Sequence, residues 1–367
     1  MQPMSFDFRS RRSMVVARRG MVTASQPLAA QAGLNVLRQG GNAADAAIAA
    51  AAALAVTEPA STGLGGDCFA LYFDAATGAV SALNGSGRAP AALSLDVLRG
   101  MAEIPTDSVH AITVPGAVMG WHDLLQRHGT MPLGDVLADA IAYARDGFPL
   151  SPVIGAGWAN AEAWLRTRPN ADAYLPGGRA PRVGEVVRLA DLARTLQAVA
   201  EGGPPAFYAG PVADAIVATI QAQGGVMTHD DLRAHTSTWE TPLHTDYRGV
   251  TVYECPPNGQ GIAVLIALNI AAGWDLAATP WDSPDRLHLM VEAIRLAFAD
   301  ARHYVADPNT DPAPVDFLLS RAYADHRRAL VSRERAMQPP GFGAPPSGSD
   351  TVYLSVVDGQ GNACSFI

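Results

Sequence analysis

The amino-acid sequence predicts a globular fold that combines α-helices with β-strands, and three observations support this. Apolar residues make up 49% of the 367 residues and charged residues 17%, which is a globular rather than a disordered composition. Runs of alternating apolar residues near both ends of the chain are typical of strands. Between residues 93 and 330 the apolar residues recur instead at helical spacing. The length allows one large domain or two ordinary ones.

Charge and cysteine content exclude several classes of protein. The net charge is −9 and no basic stripe with interleaved aromatic residues occurs, which argues against a nucleic-acid partner. Cys68, Cys255 and Cys364 are far apart, so neither a disulfide framework nor a zinc site is indicated. The longest apolar run, 46–56, is far shorter than the ~20 residues of a membrane span. No secretory signal is visible, and we expect a cytoplasmic protein without a membrane partner.

Two strands and two helices are predicted before residue 60. The strands span 14–17 and 21–24, and Ser25 can cap the helix that follows. A second helix is predicted over 43–56, where Asn42 and the acidic residue three positions later match a capping box. Small residues cover every face of this helix, which is typical of an element packed closely between layers.

A glycine-rich loop and a hairpin come next. Residues 62–67 turn the chain into strands predicted over 68–73 and 79–83. No Gly-Lys-Ser/Thr follows these glycines, so they permit a tight turn or a close approach of the backbone to a ligand rather than indicate a phosphate loop. The second strand leaves through residues 84–90, which contain Arg88. A guanidinium there can bind a carboxylate through two hydrogen bonds, although a solvated loop arginine fits the same pattern.

Residues 93–330 are predicted to be mainly helical, with short strands between the helices. The last long helix carries Leu287, Val291, Ile294 and Phe298 at helical spacing. The histidines of this region are scattered singly and form no metal-binding pair, so each is interpreted as a surface or core residue. The predicted helices span 121–127, 133–146, 213–223, 262–271 and 283–306.

A proline- and glycine-rich run ends at Thr351, where an alternating pattern typical of a strand begins. A threonine that an accessible loop delivers to the start of a strand suits self-cleavage. Its hydroxyl would attack the carbonyl carbon of Asp350, and the resulting ester would hydrolyse. The α-amine freed on Thr351 can then act as the base for its own hydroxyl. On spacing alone, a β-branched residue that simply opens a hairpin is the alternative.

Separate blocks of sequence, spread over nearly the whole chain, agree with one family. The blocks are 21–29, 40–46, 58–59 with 63–66, 114–116, 256–261, and Thr351 with 354–358 and 361–362. In this order they resemble the γ-glutamyltranspeptidase family of N-terminal nucleophile hydrolases. Together they are specific, and they favour Thr351 as a nucleophile.

The resemblance implies an α+β fold, a four-layer αββα sandwich with Thr351 at the end of a central strand. It implies a proenzyme that cuts itself between Asp350 and Thr351, leaving a large subunit of residues 1–350 and a small subunit that starts with 351–367. Thr351 would take the γ-glutamyl group of a small-molecule substrate, and water or an amino acid amine would release it. The implied partners are this γ-glutamyl or other acyl-amide substrate and the protein's own small subunit; no metal or organic cofactor is implied.

Two departures from the family pattern matter. The chain stops at Ile367 within a strand, whereas the family's small subunit supplies the oxyanion donors. We therefore expect the fold to be incomplete at the C-terminus and this chain alone to be inactive. The family's Arg-Glu-x-Ala-Pro loop holds the substrate's α-carboxylate, but Ser86 occupies the arginine position here and Arg88 follows two residues later.

Three functions stay open at this point. The first is a self-processing γ-glutamyltransferase and glutathione hydrolase in which Arg88 acts from a shifted loop. The second is an amidohydrolase that resembles cephalosporin (glutaryl) acylases or oxamate amidohydrolases, which Ser86 in place of arginine supports. The third, from another class, is an unprocessed scaffold without catalysis; the intact Thr351 argues against it.

Overall fold

The structure, a computed structural model, describes residues 13–338 and 353–367. Its strands are β1 (Met21–Thr23), β2 (Cys68–Asp74), β3 (Ala79–Gly85), β4 (Phe148–Pro149), β5 (Val186–Val187), β6 (Thr238–Glu240), β7 (Leu243–Tyr247), β8 (Val250–Glu254), β9 (Leu354–Val357) and β10 (Ala363–Phe366). Six of them form an antiparallel sheet in the order β1-β9-β10-β2-β3-β6. The pairs β4–β5 and β7–β8 form two separate ribbons.

Helices cover one face of this sheet and form most of the remaining chain. They are α1 (Pro27–Arg38), α2 (Ala43–Thr57), α3 (Ala117–His128), α4 (Leu133–Asp146), α5 (Pro152–Leu165), α6 (Ala190–Gly202), α7 (Pro205–Tyr208), α8 (Pro211–Ala222), α9 (His229–Arg233), α10 (Ile262–Ala271), α11 (Pro284–Tyr304), α12 (Val315–Leu318) and α13 (Arg321–Arg328). Helices α1, α2 and α3 contact the sheet directly, and α4 covers α2. The fold is therefore α+β, as predicted.

Helix α2 lies at the centre of the helical layer. All 15 of its residues are buried, because side chains that are mostly alanine let the neighbouring helices and strands approach closely. Asn42 caps the helix and Asp45 completes the capping box, as predicted. The Asp45 carboxylate also accepts the backbone N–H of Thr130 at 3.0 Å, and Asp358 accepts that of Ala43 at 3.3 Å. These bonds fix the start of α2 to the α3–α4 loop and to the β9–β10 turn.

The two faces of the six-stranded sheet differ in burial. Leu354, Phe366, Ala70 and Leu83 pair in one row across four strands, and all of them are buried against the helices. Residues on the opposite face alternate with these. That face carries exposed apolar side chains, among them Phe73, Tyr353, Val357 and Ile367. The four-layer fold that the family resemblance implies would place a second sheet over this face.

A second hydrophobic cluster lies apart from the main core. It packs α10 against α11 and α13 and joins them to the β7–β8 ribbon. Two buried carboxylates in α11 are neutralised by arginines: Glu292 pairs with Arg295 at 2.6 Å and Asp300 pairs with Arg327 at 2.8 Å. This part of the chain therefore holds its buried charges as ion pairs.

Most predicted elements are confirmed, and two details differ. Helix α4 has the predicted bounds. Residues 14–17 form no strand. Gln26, rather than Ser25, is the N-cap of α1, and the Ser25 hydroxyl donates instead to the carboxylate of Glu58 at 2.6 Å. Within residues 13–338 and 353–367, no helix is long and apolar enough to cross a membrane.

The apolar stripe of α11 faces outward. Leu287, Val291 and Ile294 are 53%, 52% and 45% exposed, whereas Leu289 and Leu296 on the other side of the helix are 3% and 0% exposed. Helical spacing thus predicts the helix correctly, but it does not predict which face is covered.

Candidate active site

Three loops meet at one end of the six-stranded sheet. At this end β9 and β2 begin while β10 and β3 end, because antiparallel neighbours alternate in direction. The loop 62–67 leads into β2, the loop 84–90 leaves β3, and the loop 113–116 opens α3. We call this end, marked by Cys68 and Gly85, the site end of the sheet.

Glycines allow the three loops to interlock. The backbone N–H of Gly116 donates to the carbonyl of Gly66 at 2.8 Å. A Cβ added to Gly116 would stand 2.0 Å from the carbonyl oxygen of Gly85, and one added to Gly87 would stand 1.6 Å from that of Val114. Both distances are far below van der Waals contact, so no residue with a side chain fits these positions. The close backbone contacts thus fall on Gly87 and Gly116 rather than on the glycines of the loop 62–67. In that loop the N–H of Gly66 donates to the carbonyl of Gly63 at 3.1 Å, which forms the predicted tight turn, and a Cβ on Gly63 or Gly65 would meet no heavy atom within 4 Å.

Cys68 lies beneath these loops and is not a nucleophile. Its Sγ would stand 2.3 Å from a Cβ on Gly120, so it fills the space against α3. Burial is the main cause that raises the pKa of the Cys68 thiol above its usual value. Burial likewise raises the pKa of Cys255 and of Cys364 to about 12. All three are thiols at neutral pH, and thiols lack the nucleophilicity of thiolates.

Metal ligands are not grouped in the part of the chain that the structure describes. No set of three or more histidine, cysteine, aspartate or glutamate side chains there is arranged to hold an ion.

Ser86 is held in a network of side-chain hydrogen bonds. Its hydroxyl donates to the side-chain oxygen of Asn84 at 2.7 Å and accepts the amide N–H of Asn258 at 3.0 Å. The Asn84 amide in turn donates to the side-chain oxygen of Asn258 at 2.8 Å and to Glu240 at 3.1 Å. Sequence reasoning singled out Ser86 but missed its partners. Asn84 lies in the same loop as Ser86, whereas Glu240 and Asn258 come from two distant segments, of which only the block 256–261 gave a signal.

Arg88 lies two residues beyond this network and is exposed. Its carbonyl accepts the backbone N–H of Val114 at 2.9 Å, which fixes the backbone beneath a free side chain. No carboxylate among residues 13–338 and 353–367 forms an ion pair with its guanidinium. The Arg88 charge helps lower the pKa of Asp307, for which the backbone N–H of Asn309 is the largest cause. The guanidinium is thus available to an anionic ligand.

Thr351 and Asp350, the predicted nucleophile and its cleavage partner, lie outside the described residues. The strand that they precede is β9, which begins at Leu354 and pairs with β1 on one side and β10 on the other. It is an interior strand of the sheet.

A chain of hydroxyl groups lies on the exposed face of β9 and β10. The Tyr353 hydroxyl lies 2.8 Å from Ser365 Oγ and accepts the hydroxyl of Ser355 at 2.9 Å. Sequence reasoning missed this chain, because the pairing of β9 with β10 brings its members together. The strand beside the predicted nucleophile therefore offers uncharged hydrogen-bonding groups.

Comparison with known proteins gives consistent matches over the whole chain. A family model for gamma-glutamyltranspeptidase matches residues 29–367. The "Glutathione hydrolase-like YwrD proenzyme" of Bacillus subtilis (strain 168) is 41% identical over 355 residues, which cover 96% of this chain and 67% of that protein. This chain thus spans about two thirds of that relative's length.

Two solved structures share the fold. The cephalosporin acylase from Bacillus halodurans has a TM-score of 0.89 and 43% identity, with 100% of this chain and 68% of that chain covered. The gamma-glutamyltranspeptidase of Helicobacter pylori has a TM-score of 0.83 and 29% identity, with 92% of this chain and 100% of that chain covered. The fold class that the sequence predicted is confirmed.

Proposed function

This chain belongs to the gamma-glutamyltranspeptidase family, and we propose that it is the precursor of a self-processing γ-glutamyl hydrolase and transferase. The observation that supports this most strongly is the place of β9, an interior strand that starts three residues after Thr351. A nucleophile at the start of such a strand is held by a rigid sheet, which positions reacting atoms better than a free loop does.

Self-cleavage uses the Thr351 hydroxyl against its own chain. The oxygen attacks the carbonyl carbon of Asp350, the peptide C–N bond breaks, and Asp350 becomes esterified to Thr351, whose α-amine is freed. Water then hydrolyses the ester, so that Asp350 ends as a carboxylate and the hydroxyl is restored. The products are a large subunit of residues 1–350 and a small subunit that starts with 351–367.

The same hydroxyl then performs the acyl transfer. The α-amine of Thr351 accepts the hydroxyl proton while the oxygen attacks the γ-carbonyl carbon of the substrate. The amine leaving group takes that proton as its C–N bond breaks, which leaves a glutamyl ester on Thr351. Water or the amine of an amino acid attacks this ester and releases the glutamyl group. The chemistry needs no metal and no organic cofactor.

Arg88 is our candidate for the group that binds the α-carboxylate of the glutamyl moiety. Its guanidinium is exposed and unpaired among the described residues, and Val114 fixes its backbone at the site end of the sheet. A planar guanidinium binds a carboxylate through two parallel hydrogen bonds, which gives direction as well as affinity.

A second candidate function is amide hydrolysis on another small acyl group. The specific observation that favours it is Ser86, whose hydroxyl is already engaged by Asn84 and Asn258 and supplies no positive charge where the family pattern has arginine. The similarity to the Bacillus halodurans cephalosporin acylase supports the same candidate.

Four p-nitroanilides separate these functions. The γ-glutamyl compound carries an ammonium and a carboxylate on one carbon, the glutaryl compound lacks the ammonium, the 4-aminobutanoyl compound lacks the carboxylate, and the butanoyl compound lacks both. We expect the self-processed full-length protein to cleave the γ-glutamyl compound with the highest kcat/KM. A higher kcat/KM on glutaryl or butanoyl would favour the second function.

The Arg88→Ala variant tests the carboxylate contact in the same assay. The KM should rise about 10-fold or more for the γ-glutamyl and glutaryl compounds, because a charge-assisted hydrogen bond is lost. The 4-aminobutanoyl and butanoyl compounds should be unaffected. Arg99→Ala is the matched control, since Arg99 is an exposed loop arginine paired with Asp96. An unchanged KM for the γ-glutamyl compound would remove Arg88 from the site.

A further inference from the structure

An aromatic pocket lies outside the candidate active site. Its volume is about 420 Å³, and one wall is the turn of Pro59 and Ala60 that follows α2. Helix α5 and the residues after it form most of the rest, chiefly through Trp158, Trp164 and Tyr174. Volumes of about 300–1,000 Å³ and aromatic linings with few polar groups are typical of sites for small organic ligands. The aromatic pocket therefore has the size and lining of a binding site.

Trp158 gives the aromatic pocket a fixed apolar surface. Its side chain is only 4% exposed, and its indole N–H donates to the backbone carbonyl of Tyr174 at 2.7 Å. The centres of the two rings lie 6.2 Å apart, within the range of aromatic pairs. The only polar atom of the Trp158 side chain is thus bonded within the protein. The ring can offer a ligand apolar contact alone.

Trp164 gives the aromatic pocket a second ring, which is not covered by the protein. Half of it, 50%, is exposed. The guanidinium of Arg168 lies 4.5 Å from the centre of the Trp164 ring, a cation–π contact that fixes the ring. Arg168 is itself held by Asp107, because it donates to the carboxylate at 2.8 Å and to the backbone carbonyl at 3.2 Å. A large aromatic surface is therefore held in place and left open to a planar ligand.

One hydrogen-bond donor of the aromatic pocket lacks an acceptor. Within the described parts of the chain, no atom accepts the Nε–H of Arg168, although this nitrogen is buried. A buried donor without an acceptor lowers stability, so a ligand that brings an oxygen to it gains binding free energy.

The charges around this donor favour an uncharged ligand. The Asp107 carboxylate already neutralises the Arg168 guanidinium, from which it lies 2.8 Å away. No other charged residue of the described chain lines the aromatic pocket. A carboxylate bound at Nε would lie near the like charge of Asp107, which disfavours it. A carbonyl oxygen satisfies the donor without this repulsion.

We propose that the aromatic pocket binds an uncharged aromatic ligand that carries an amide or ketone oxygen. The ring of the ligand lies against Trp158 and Trp164, and its oxygen accepts the Nε–H of Arg168. The aromatic contacts supply affinity, and the single donor gives the ligand its direction. This inference goes beyond the proposed function. Binding needs neither Thr351 nor cleavage of the chain, so one can fail while the other holds.

Indole-3-carboxamide is the compound for the first test, because it joins a planar ring to an uncharged amide. Titration of the full-length protein, followed by ligand-observed NMR, gives its Kd. We expect a Kd of about 1 mM or lower for a ligand with about a dozen non-hydrogen atoms. Indole-3-carboxylate replaces the amide by a charge, and cyclohexanecarboxamide lacks the aromatic ring. Each should bind at least about 5-fold more weakly.

Two variants test the contacts with the ligand. Trp164→Ala removes a half-exposed ring, and Arg168→Lys keeps a positive charge beside Asp107 while it removes the Nε–H. Both should raise the Kd for indole-3-carboxamide at least about 5-fold. Trp281→Ala and Arg166→Lys are the matched controls, since Trp281 is 65% exposed and neither residue lines the aromatic pocket. The controls should leave the Kd unchanged.

The proposal is supported only if indole-3-carboxamide binds, both reference compounds bind more weakly and both variants lose affinity. No detectable binding at about 10 mM, ten times the highest expected Kd, overturns it. Equal binding of the carboxylate, or an unchanged Kd in Arg168→Lys, overturns it as well. An equal loss in the control variants would show a general effect of substitution and has the same consequence. If Trp164→Ala does not fold, Arg168→Lys and the two reference compounds decide the outcome.

Discussion

Two regions of the molecule bury their apolar residues in different ways. In the first, the six-stranded sheet with α1–α9, small residues bring backbones together, and every residue of α2 is buried. In the second, β7 and β8 with α10–α13, large apolar side chains and alanines share the core, and one stripe of α11 is left exposed. The first region builds the interlocked loops of the site, because the glycines at Gly87 and Gly116 permit backbone contacts that any side chain would prevent. The second contributes Asn258 from the loop before α10.

The two regions also treat buried carboxylates differently. Asp45 and Asp358 in the first region accept hydrogen bonds mainly from backbone N–H groups. Glu292 and Asp300 in the second are paired with arginines. Backbone donors fix the positions of chain segments, whereas arginine pairs mainly neutralise charge. In the region that holds the site, the buried carboxylates therefore serve mainly to fix backbone segments.

Loss of a buried carboxylate, that of Asp358, should give the largest difference in stability between the two regions. In Asp358→Ala, the N–H groups of Gln360, Asn362 and Ala43 lose their acceptor, and the one of Ala43 is fully buried. We expect the free energy of unfolding to fall by roughly 2–3 kcal/mol, since a buried orphaned group costs about 1–3 kcal/mol and the more exposed groups cost less. Urea denaturation measures this. Asp325→Ala, which removes a half-exposed carboxylate of the second region, should change it by less than about 0.5 kcal/mol, and equal losses would contradict the comparison.

Replacing an alanine by a larger side chain should destabilise the first region more than the second, and this is the next largest difference. Ala50 in α2 is fully buried, whereas Ala267 in α10 lines an open apolar groove. Ala50→Leu should destabilise the protein by about 1–3 kcal/mol, because a close-packed core cannot take extra methylenes without strain. Ala267→Leu should cost less than half as much. Denaturation midpoints of the two variants give the result, and an equal cost would show that α2 is no more tightly packed than α10.

The pH dependence of stability should arise from histidines of the first region. Burial is the main cause that lowers the pKa of both His128 and His235 below the usual value. The unfolded chain therefore binds these protons at higher pH than the folded chain, and stability must fall as pH drops below about 6.5. We expect the free energy of unfolding to fall by about 1 kcal/mol between pH 7 and 5. The partly exposed His128 should contribute the smaller share of this loss, because solvent screens its charge.

Variants isolate this contribution from that of the carboxylates. The loss of stability on acidification should be smaller in His128→Gln and His235→Gln than in the unmodified protein. The matched control, His326→Gln, removes an exposed histidine of α13 and should leave the loss unchanged. A greater loss of stability on acidification in His128→Gln or His235→Gln than in the unmodified protein would contradict the account.

A substitution in the exposed stripe of α11 should change the stability of the protein least. Ile294→Ser removes a side chain that is 45% exposed, so the free energy of unfolding should change by no more than about 0.5 kcal/mol. Leu296→Ala in the same helix empties a fully buried position and should cost about 2–5 kcal/mol. If the two variants were equally destabilised, the stripe would be covered in solution.

Local elements could be predicted from the sequence, whereas most of the site could not. The capping box of α2 and the bounds of α4 depend on neighbouring residues, and both were predicted correctly. The network around Ser86 unites Asn84, Glu240 and Asn258, and only the tertiary fold brings them together. Spacing likewise could not tell which face of α11 is covered, because that depends on what packs against it.

The most direct test of the account is whether the chain cuts itself before Thr351. The full-length protein should be incubated overnight beside a Thr351→Ala control, and both should be analysed by intact mass and N-terminal sequencing. The account predicts two fragments for the unmodified protein, the second of which begins at Thr351, and one uncut chain for the control. An uncut chain in both samples, or a cut at another bond, would contradict the self-processing nucleophile and favour a scaffold without catalysis.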